Sequence, residues 1–345
     1  MKISTIGIDL AKDFFQIHAV NDHGKVVQRK KLTRKQMTTY FSNLEPCLIG
    51  MEACASSHFW ARKLRSIGHT VRLMAPQFVK PYVKTNKNDA ADAEAICEAV
   101  TRPTMRFVGI KNVSQQTVLC LHRARQLLVT ERTAQANQIR GLLAEFGIVV
   151  PKGIKNLKTR IPEILEDGEN ELLPEMRDLI SMMRERIIDI DERVASLELK
   201  IGQSNKQNEM TEALEAIPGI GPLTASAVVA TIGDFKEFKT GRELAAFLGL
   251  VPRQHSSGGK QNLLGISKRG DSYLRTLLIH GARAVIRFAE TKQEKNHWLV
   301  SLIGRRNKNI ATVALANKNI RIIWAMMVRG EKFNPSYIGL ASIPT

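Results

Sequence analysis

A long heptad pattern in the middle of the chain is the feature that most restricts its fold. Nine apolar residues between positions 172 and 201 follow one another at steps of three and four, with charged residues between them. They are Leu172, Met176, Leu179, Met183, Ile187, Ile190, Val194, Leu197 and Ile201. Apolar side chains at this spacing share one face of an α-helix. The pattern lasts about four heptads, so it predicts a long helix that packs along a partner helix.

A second long helix is predicted upstream, where polar residues interrupt a weaker apolar seam. Its apolar positions are Val118, Leu121, Leu128, Ile139, Leu142 and Phe146. Pro151, Gly153 and Gly168 separate the two helices. We therefore expect a long-helix, coiled-coil-like pair over residues 113–204. The pattern leaves open whether these helices pair within one chain or form an oligomerisation stalk.

The first hundred residues have a different pattern, typical of an α/β domain. Short apolar runs predict strands over 3–8, 14–20, 25–32, 47–52 and 71–74. Helices are predicted over 34–43 after Thr33, from Ser56 or Ser57 to Leu64, and from Asn88 onwards. Three strands, a helix, and then strands alternating with helices is the element order of ribonuclease-H-like folds.

The charge balance favours a polyanionic partner. The 345 residues include 51 Lys and Arg against 33 Asp and Glu, a net charge of +18. A globular chain this basic is typical of nucleic-acid-binding proteins, because phosphate neutralisation supplies affinity. The four cysteines form no CxxC pair, so a zinc site or disulfide framework is not expected. With no membrane-length apolar run and no signal-peptide pattern, we expect a cytoplasmic, nucleoid-associated protein that does not bind membranes.

Four acidic residues could form one metal site. Asp9 ends the first predicted strand, Glu52 ends the fourth, and Asp89 and Asp92 lie three residues apart at the start of a helix. Four converging carboxylates repel one another unless a cation lies between them, and oxygen-only ligands suit Mg²⁺ or Mn²⁺. Asp89 and Asp92 alone could equally be ordinary N-terminal helix acids, so the prediction depends on the set.

A glycine-rich turn later in the chain predicts a helix–hairpin–helix element. The stretch 214–229 has a helix, the turn Pro218–Gly221 and a second helix of small residues. Gly219 and Gly221 would let the backbone approach a phosphate, which free N–H groups at the second helix would bind. The alternative is a plain helical turn packed in the core.

A serine-containing loop follows, with cationic residues on both sides. Ser256 and Ser257 precede two glycines, and a serine hydroxyl needs a base, a metal or a strong field to act as a nucleophile. His255 is the local base candidate. The residues predicted to bind phosphates are Arg253, Lys260, Lys268, Arg269 and Arg275, with Tyr273 among them.

Together these motifs resemble the DEDD insertion-sequence transposases of the IS110 family, with most similarity to the IS1111 subgroup. The resemblance covers nearly the whole chain. The matching segments are Ile6–Lys12, Gly50–Ala53, Lys87–Ala93, Ile217–Gly221, Phe247–Arg253 and Gly265–Arg275.

The resemblance implies three domains and a mechanism. The domains are a RuvC-like, ribonuclease-H-like domain (1–112), a helical stalk (113–204) and a C-terminal transposase domain with the helix–hairpin–helix and the serine loop (205–345). Asp9, Glu52, Asp89 and Asp92 would hold Mg²⁺ or Mn²⁺. Ser257, by alignment in preference to Ser256, would attack the scissile phosphate and form a transient phosphoserine link to DNA.

The resemblance also implies partners. Donor and target DNA would be chosen by pairing with a structured noncoding guide RNA, the bridge RNA, while the protein reads backbone and shape. The site would be assembled between protomers of a dimer or tetramer. Two alternatives remain: a RuvC-like metal-dependent junction nuclease that uses water instead of Ser257, and a non-catalytic DNA-binding protein.

Overall fold

The computed structural model describes residues 2–84, 88–206, 208–289 and 297–334. The chain separates into two compact units, Met1–Val113 and Ser114–Thr345. Lys87, the first residue of the matching segment Lys87–Ala93, and residues 335–345 of the predicted C-terminal domain lie outside the described residues. No helix in the described ranges is long and apolar enough to cross a membrane.

The first unit is built on a six-stranded mixed sheet with the order β3-β2-β1-β4-β5-β6. The first three strands form an antiparallel meander, β1, β4 and β5 are parallel, and β6 is antiparallel to β5. The strands are β1 (Thr5–Leu10), β2 (Phe14–Val20), β3 (Val26–Thr33), β4 (Leu48–Glu52), β5 (Thr70–Met74) and β6 (Phe107–Val108). The predicted α/β pattern is confirmed, and the sheet is consistent with a ribonuclease-H-like domain.

The helices of this unit begin at capping residues that the sequence supplies. Thr33 forms a capping box with Gln36, and the Asn88 side chain accepts a hydrogen bond from the Ala91 N–H at 2.8 Å. The helices are α1 (Arg34–Ser42), α2 (Ser57–Ser66), α3 (Pro76–Val79) and α4 (Asp89–Val100). A 3₁₀ turn, Lys80–Tyr82, follows α3. The main core lies between the sheet and the α1–α2 layer.

The second unit is largely helical and has two separate apolar cores. Its long helices are α5 (Val113–Ala144), α6 (Ile154–Glu166) and α7 (Pro174–Lys206). The shorter elements that follow are α8 (Glu209–Glu215), α9 (Pro222–Ile232), α10 (Gly241–Phe247), β7 (Pro252–Gln254), β8 (Leu263–Ile266), α11 (Ser272–Ala289), α12 (His297–Arg305) and α13 (Lys308–Arg329). The sequence did not predict the β7–β8 hairpin.

The heptad residues of α7 are largely buried within the chain. Met183, Ile187 and Ile190 are at most 5% exposed. In the first half of α7, Met183 and Ile187 pack in one core with Ile139 of α5 and Ile161 of α6. The long helices are therefore as expected, and part of the seam is covered by a third helix. A coiled coil or a contact with another protomer remains a prediction.

Candidate functional site

Asp9 and Glu52 lie at the carboxyl ends of two neighbouring parallel strands. The register of β1 and β4 pairs Ile8 with Met51, and the next residue on each strand is the acid. Residues at one register position of a sheet point to the same face. The fold therefore brings these two predicted site residues together, and both side chains are half-buried.

Helix α4 crosses the same face, and glycines make this close packing possible. A Cβ on Gly7 would lie 2.2 Å from the Ala93 carbonyl oxygen and 2.4 Å from the Cys97 N atom. The Cys97 thiol reaches the Thr5 carbonyl oxygen at 3.8 Å. Because later residues of α4 lie over the start of β1, the helix runs antiparallel to that strand. Its first turn is thus directed toward the strand end that carries Asp9.

The first turn of α4 carries the other two predicted acids. Asp92 is half-buried and Asp89 is exposed, as expected for acids at a helix N-terminus. Over the described ranges, no group of three or more His, Cys, Asp and Glu side chains is placed to hold a metal ion. The oxygen donors suit Mg²⁺ or Mn²⁺ chemically. The geometry, however, unites only Asp9 and Glu52, so a four-acid metal site remains a prediction.

Cys54 lies beside this carboxylate pair, a neighbour that the sequence did not predict as part of the site. Partial burial raises the pKa of its thiol, and the negative charges of Glu52 and Asp9 raise it further. The thiol therefore stays protonated beside the acids.

The predicted nucleophile lies at the tip of the β7–β8 hairpin in the second unit. Ser257 and Lys260 form the closing bridge, and Gly258 and Gly259 have φ angles of 56° and 78°. Two positive φ angles are typical of a type I′ hairpin turn, which explains the glycine pair. Ser257 is exposed, so its hydroxyl is accessible.

The two serines of this loop have different surroundings. The Ser256 hydroxyl accepts a hydrogen bond from the Gln254 side-chain amide at 2.8 Å. The Ser257 hydroxyl makes no hydrogen bond to the described residues, and the His255 ring contacts neither serine in that way. Within the described part of the chain, the Ser257 hydroxyl is therefore unengaged and has no base in contact with it.

The predicted phosphate-binding cations differ in their exposure and in the hydrogen bonds that they make within the chain. Arg253, Lys260, Lys268 and Arg269 are exposed. Arg275 instead donates hydrogen bonds to the carbonyl oxygens of Leu248 (3.0 Å) and Arg269 (2.8 Å). Its guanidinium stabilises the fold, and phosphate binding by all five residues remains a prediction.

The glycines of the predicted helix–hairpin–helix have different environments. Gly219 has a φ of +87°, and a Cβ there would lie 2.9 Å from the Gly281 carbonyl oxygen on α11. Gly221 is the N-cap of α9, and a Cβ on it would meet open space. Gly219 is therefore required for packing, whereas the N-terminus of α9 at Gly221 is open. Phosphate binding by either glycine remains a prediction.

A buried polar network is a further feature of the second unit that the sequence did not predict. The His122 ring is 2.9 Å from the Tyr273 hydroxyl through Nδ1 and 3.2 Å from the Ser226 hydroxyl through Nε2. Burial lowers the pKa of His122 to about 4, with a further contribution from the positive charge of Arg125. The neutral ring thus links α5, α9 and α11, and no local pattern around His122 predicts this.

Comparisons with known proteins find transposases along most of the chain. Residues 211–298 match the family described as Transposase IS116/IS110/IS902, and residues 6–148 match the IS110 DEDD model, described as a transposase. A probable family 20 transposase of Pseudomonas aeruginosa is 50% identical, with 97% of this chain and 100% of that protein aligned.

Two further relatives are named after insertion sequences. The transposase for insertion sequence element IS1111A of Coxiella burnetii is 45% identical over 96% of this chain and 91% of its own length. The transposase for IS1328 of Yersinia enterocolitica is 41% identical over 96% and 99%, respectively. The similarity thus spans both units.

Proposed function

Because the chain belongs to the IS110 family of insertion-sequence transposases, as its motifs predicted, we propose that it cuts and rejoins DNA strands during transposition. The observation that carries this proposal is the shared register of Asp9 and Glu52 at adjacent strand ends. A pair of carboxylates open to one sheet face suits phosphoryl-transfer chemistry. The net charge of +18 suits a phosphate-rich substrate.

We assign the divalent cation to Asp9, Glu52, Asp89 and Asp92. The antiparallel crossing of α4 over β1 supports this, because it directs the two helix acids toward the two strand acids. A bound Mg²⁺ or Mn²⁺ supplies Lewis-acid activation of a phosphate. The chain itself supplies the oxygen ligands and, through Gly7, the close approach of helix to sheet.

We assign the nucleophile to Ser257. Its hydroxyl oxygen would bond to phosphorus while the P–O bond to the departing strand breaks, leaving a phosphoserine link to DNA. The serine proton would pass to a base, and the departing oxygen would gain one. The position at an exposed hairpin tip supports this assignment, because a DNA backbone can approach a serine at the tip.

We further propose that a bridge RNA guides the protein and that protomers associate through the long helices. Exposed cations such as Arg253, Lys260 and Arg269 can bind nucleic-acid phosphates whatever the base sequence. Base pairing would then carry the choice of sequence, with the protein contributing backbone recognition. The exposed heptad residue Leu179 and its neighbour Met182 supply apolar surface for a contact between protomers.

The test compares Ser257→Ala with its neighbour Ser256→Ala on a DNA containing the element's ends. We expect Ser257→Ala to abolish both the covalent protein–DNA adduct and strand exchange, and Ser256→Ala to retain them. Full recombination by Ser257→Ala would disprove the serine mechanism. Cleavage without any adduct would instead indicate a water-using, RuvC-like junction nuclease.

A second variant tests whether the protein is an enzyme at all. We expect Asp9→Asn to retain DNA binding and to lose strand cleavage, because the charge needed for the cation is removed. Unchanged activity in every assay would favour a non-catalytic DNA-binding protein.

A further inference from the structure

A row of side chains crosses the sheet of the first unit in the register of Asp9. Gln16 on β2 is paired with Asp9 on β1, and Lys31 on β3 is paired with Gln16. Glu52 continues the row on β4. Directly paired residues project from the same face of a sheet, so the four side chains form one line on the face that α4 partly covers.

The outer end of this row, at Lys31, is exposed and lies beside an aromatic ring on β2. Phe14 is 45% exposed, and the Lys31 ammonium nitrogen lies 4.3 Å from its ring centroid. Lys31 is itself exposed and has no carboxylate within ion-pair distance among the described residues. The half-buried Gln16 side chain makes no hydrogen bond within the same ranges. Donors and a ring are thus available beside the acids.

On the same face of the sheet, Arg29 differs from Lys31 because a carboxylate neutralises its charge. Arg29 precedes Lys31 by two residues on β3, and its guanidinium lies 3.2 Å from the Glu94 carboxylate of α4. Helix α4 therefore satisfies Arg29. At Lys31 the positive charge remains available to a partner outside the chain.

We propose that Lys31, Gln16 and Phe14 form a binding site for the DNA strand that is cut at Asp9 and Glu52. The inference rests on the proposed function, which places the scissile phosphate at those acids. Two β-strand spacings of about 4.8 Å each separate the backbones at Lys31 and Asp9. The Lys31 ammonium therefore reaches a phosphate of the same DNA strand that neighbours the scissile phosphate. Gln16 donates to the backbone between them.

The chemistry of the three groups fits a single DNA strand. An ammonium binds one phosphate, and the exposed Phe14 ring offers a surface on which an unpaired base can stack without sequence preference. The carboxylates repel phosphate unless a cation is bound. The positive charge of Lys31, two β-strands away from Asp9, therefore helps to hold the DNA strand at the acidic end of the row.

The chain offers a matched control for this site. Lys30 pairs with buried Ile17 and so projects from the opposite face, where its ammonium lies 5.1 Å from the Tyr40 ring centroid. Lys30→Gln removes the same charge from the same strand as Lys31→Gln. The two variants differ in the face of the sheet that loses the charge.

Binding is tested without chemistry, using full-length Asp9→Asn protein and a fluorescein-labelled single DNA strand from the element's end. Relative to that parent, we expect Lys31→Gln to bind about five- to tenfold more weakly. It should also lower the slope of log affinity against log salt by about 0.7, as for one lost single-strand phosphate contact. Phe14→Leu should weaken binding about fivefold or more. Lys31→Arg, which keeps the positive charge that Lys31→Gln removes, should bind as well as the parent. Equal effects of Lys30→Gln and Lys31→Gln would overturn the proposal.

Crosslinking provides a second, positional readout. A DNA strand with 5-iodouracil next to the cleavage position should crosslink to the peptide that contains Phe14, and Phe14→Leu should remove that product. A crosslink pattern unchanged by Phe14→Leu would overturn the proposal. If the protein with Asp9 intact does not cut DNA, but Lys31→Gln still binds less than Lys30→Gln in the Asp9→Asn parent, the binding site stands and the proposed cleavage function fails.

Discussion

The backbones of Gly281 on α11 and Gly219 in the 217–221 turn are in direct contact. A Cβ on Gly281 would lie 1.8 Å from the Gly219 carbonyl oxygen, closer than real Cβ atoms come to any atom. The Asn319 side-chain amide donates to the neighbouring Pro218 carbonyl oxygen at 2.9 Å. Helices α11 and α13 therefore fix the turn that leads into the open N-terminus of α9.

Gly281→Ala should destabilise the second unit by about 2–4 kcal/mol, because neither backbone can move away at low cost. Gly202→Ala is the matched control, since Gly202 is also helical but has open space around it. Alanine there should raise stability by roughly 0.5–1 kcal/mol. Urea unfolding followed by circular dichroism measures both. Equal effects of the two substitutions would show that the α11–turn contact is looser than described.

The stability of the second unit should fall as pH drops from about 6.5 to about 4. Over this window the unfolded chain binds a proton at His122, whereas the folded chain, with its pKa lowered to about 4, does not. The stability is therefore fully present above pH 6.5 and decreases as pH falls toward 4. The pKa difference corresponds to roughly 3 kcal/mol in total.

His122→Gln should lose this part of the pH dependence while remaining folded at pH 7.5, because an amide can still hydrogen-bond to Tyr273 and Ser226. Thermal unfolding at several pH values between 4.5 and 7.5 measures the change. Replacing the exposed His23 by Gln should leave the profile unchanged. A variant as pH-sensitive as the parent would contradict the assignment to His122.

Gly7→Ala should separate α4 from β1 and impair strand cleavage. The added methyl would lie 2.2 Å from the Ala93 carbonyl oxygen, so α4 and its acids Asp89 and Asp92 must move relative to Asp9. We expect a loss of about 2–4 kcal/mol in the stability of the first unit. Cleavage should fall at least tenfold at a temperature where the variant is still folded.

Hydrogen exchange of the β1 and α4 amides checks the structural part of this prediction, and single-turnover cleavage checks the functional part. Gly168→Ala, in a loop with open space around the glycine, is the control and should change neither. Faster exchange with normal cleavage would show that the position of α4 does not matter for the reaction.

Local patterns predicted the larger elements but not the small or long-range ones. The first five strands, the Thr33 cap and the long helix α7 are encoded by nearby residues: alternation, capping side chains and heptads. Strand β6 has two residues, β7 has three and β8 has four, so these strands are too short to give a periodic signal. The resemblance of motifs predicted the family, which the comparisons confirmed.

By itself the sequence determined where the larger strands and helices form, and that Asp9 and Glu52 lie at the ends of two of the strands. These properties depend on residues a few positions apart. Only the tertiary structure decided that β1 and β4 are neighbours, that Lys31 and Gln16 share the row of Asp9, and that His122 is buried between three helices. Strand order, register and burial depend on contacts between residues tens to more than a hundred positions apart, and no short pattern specifies them.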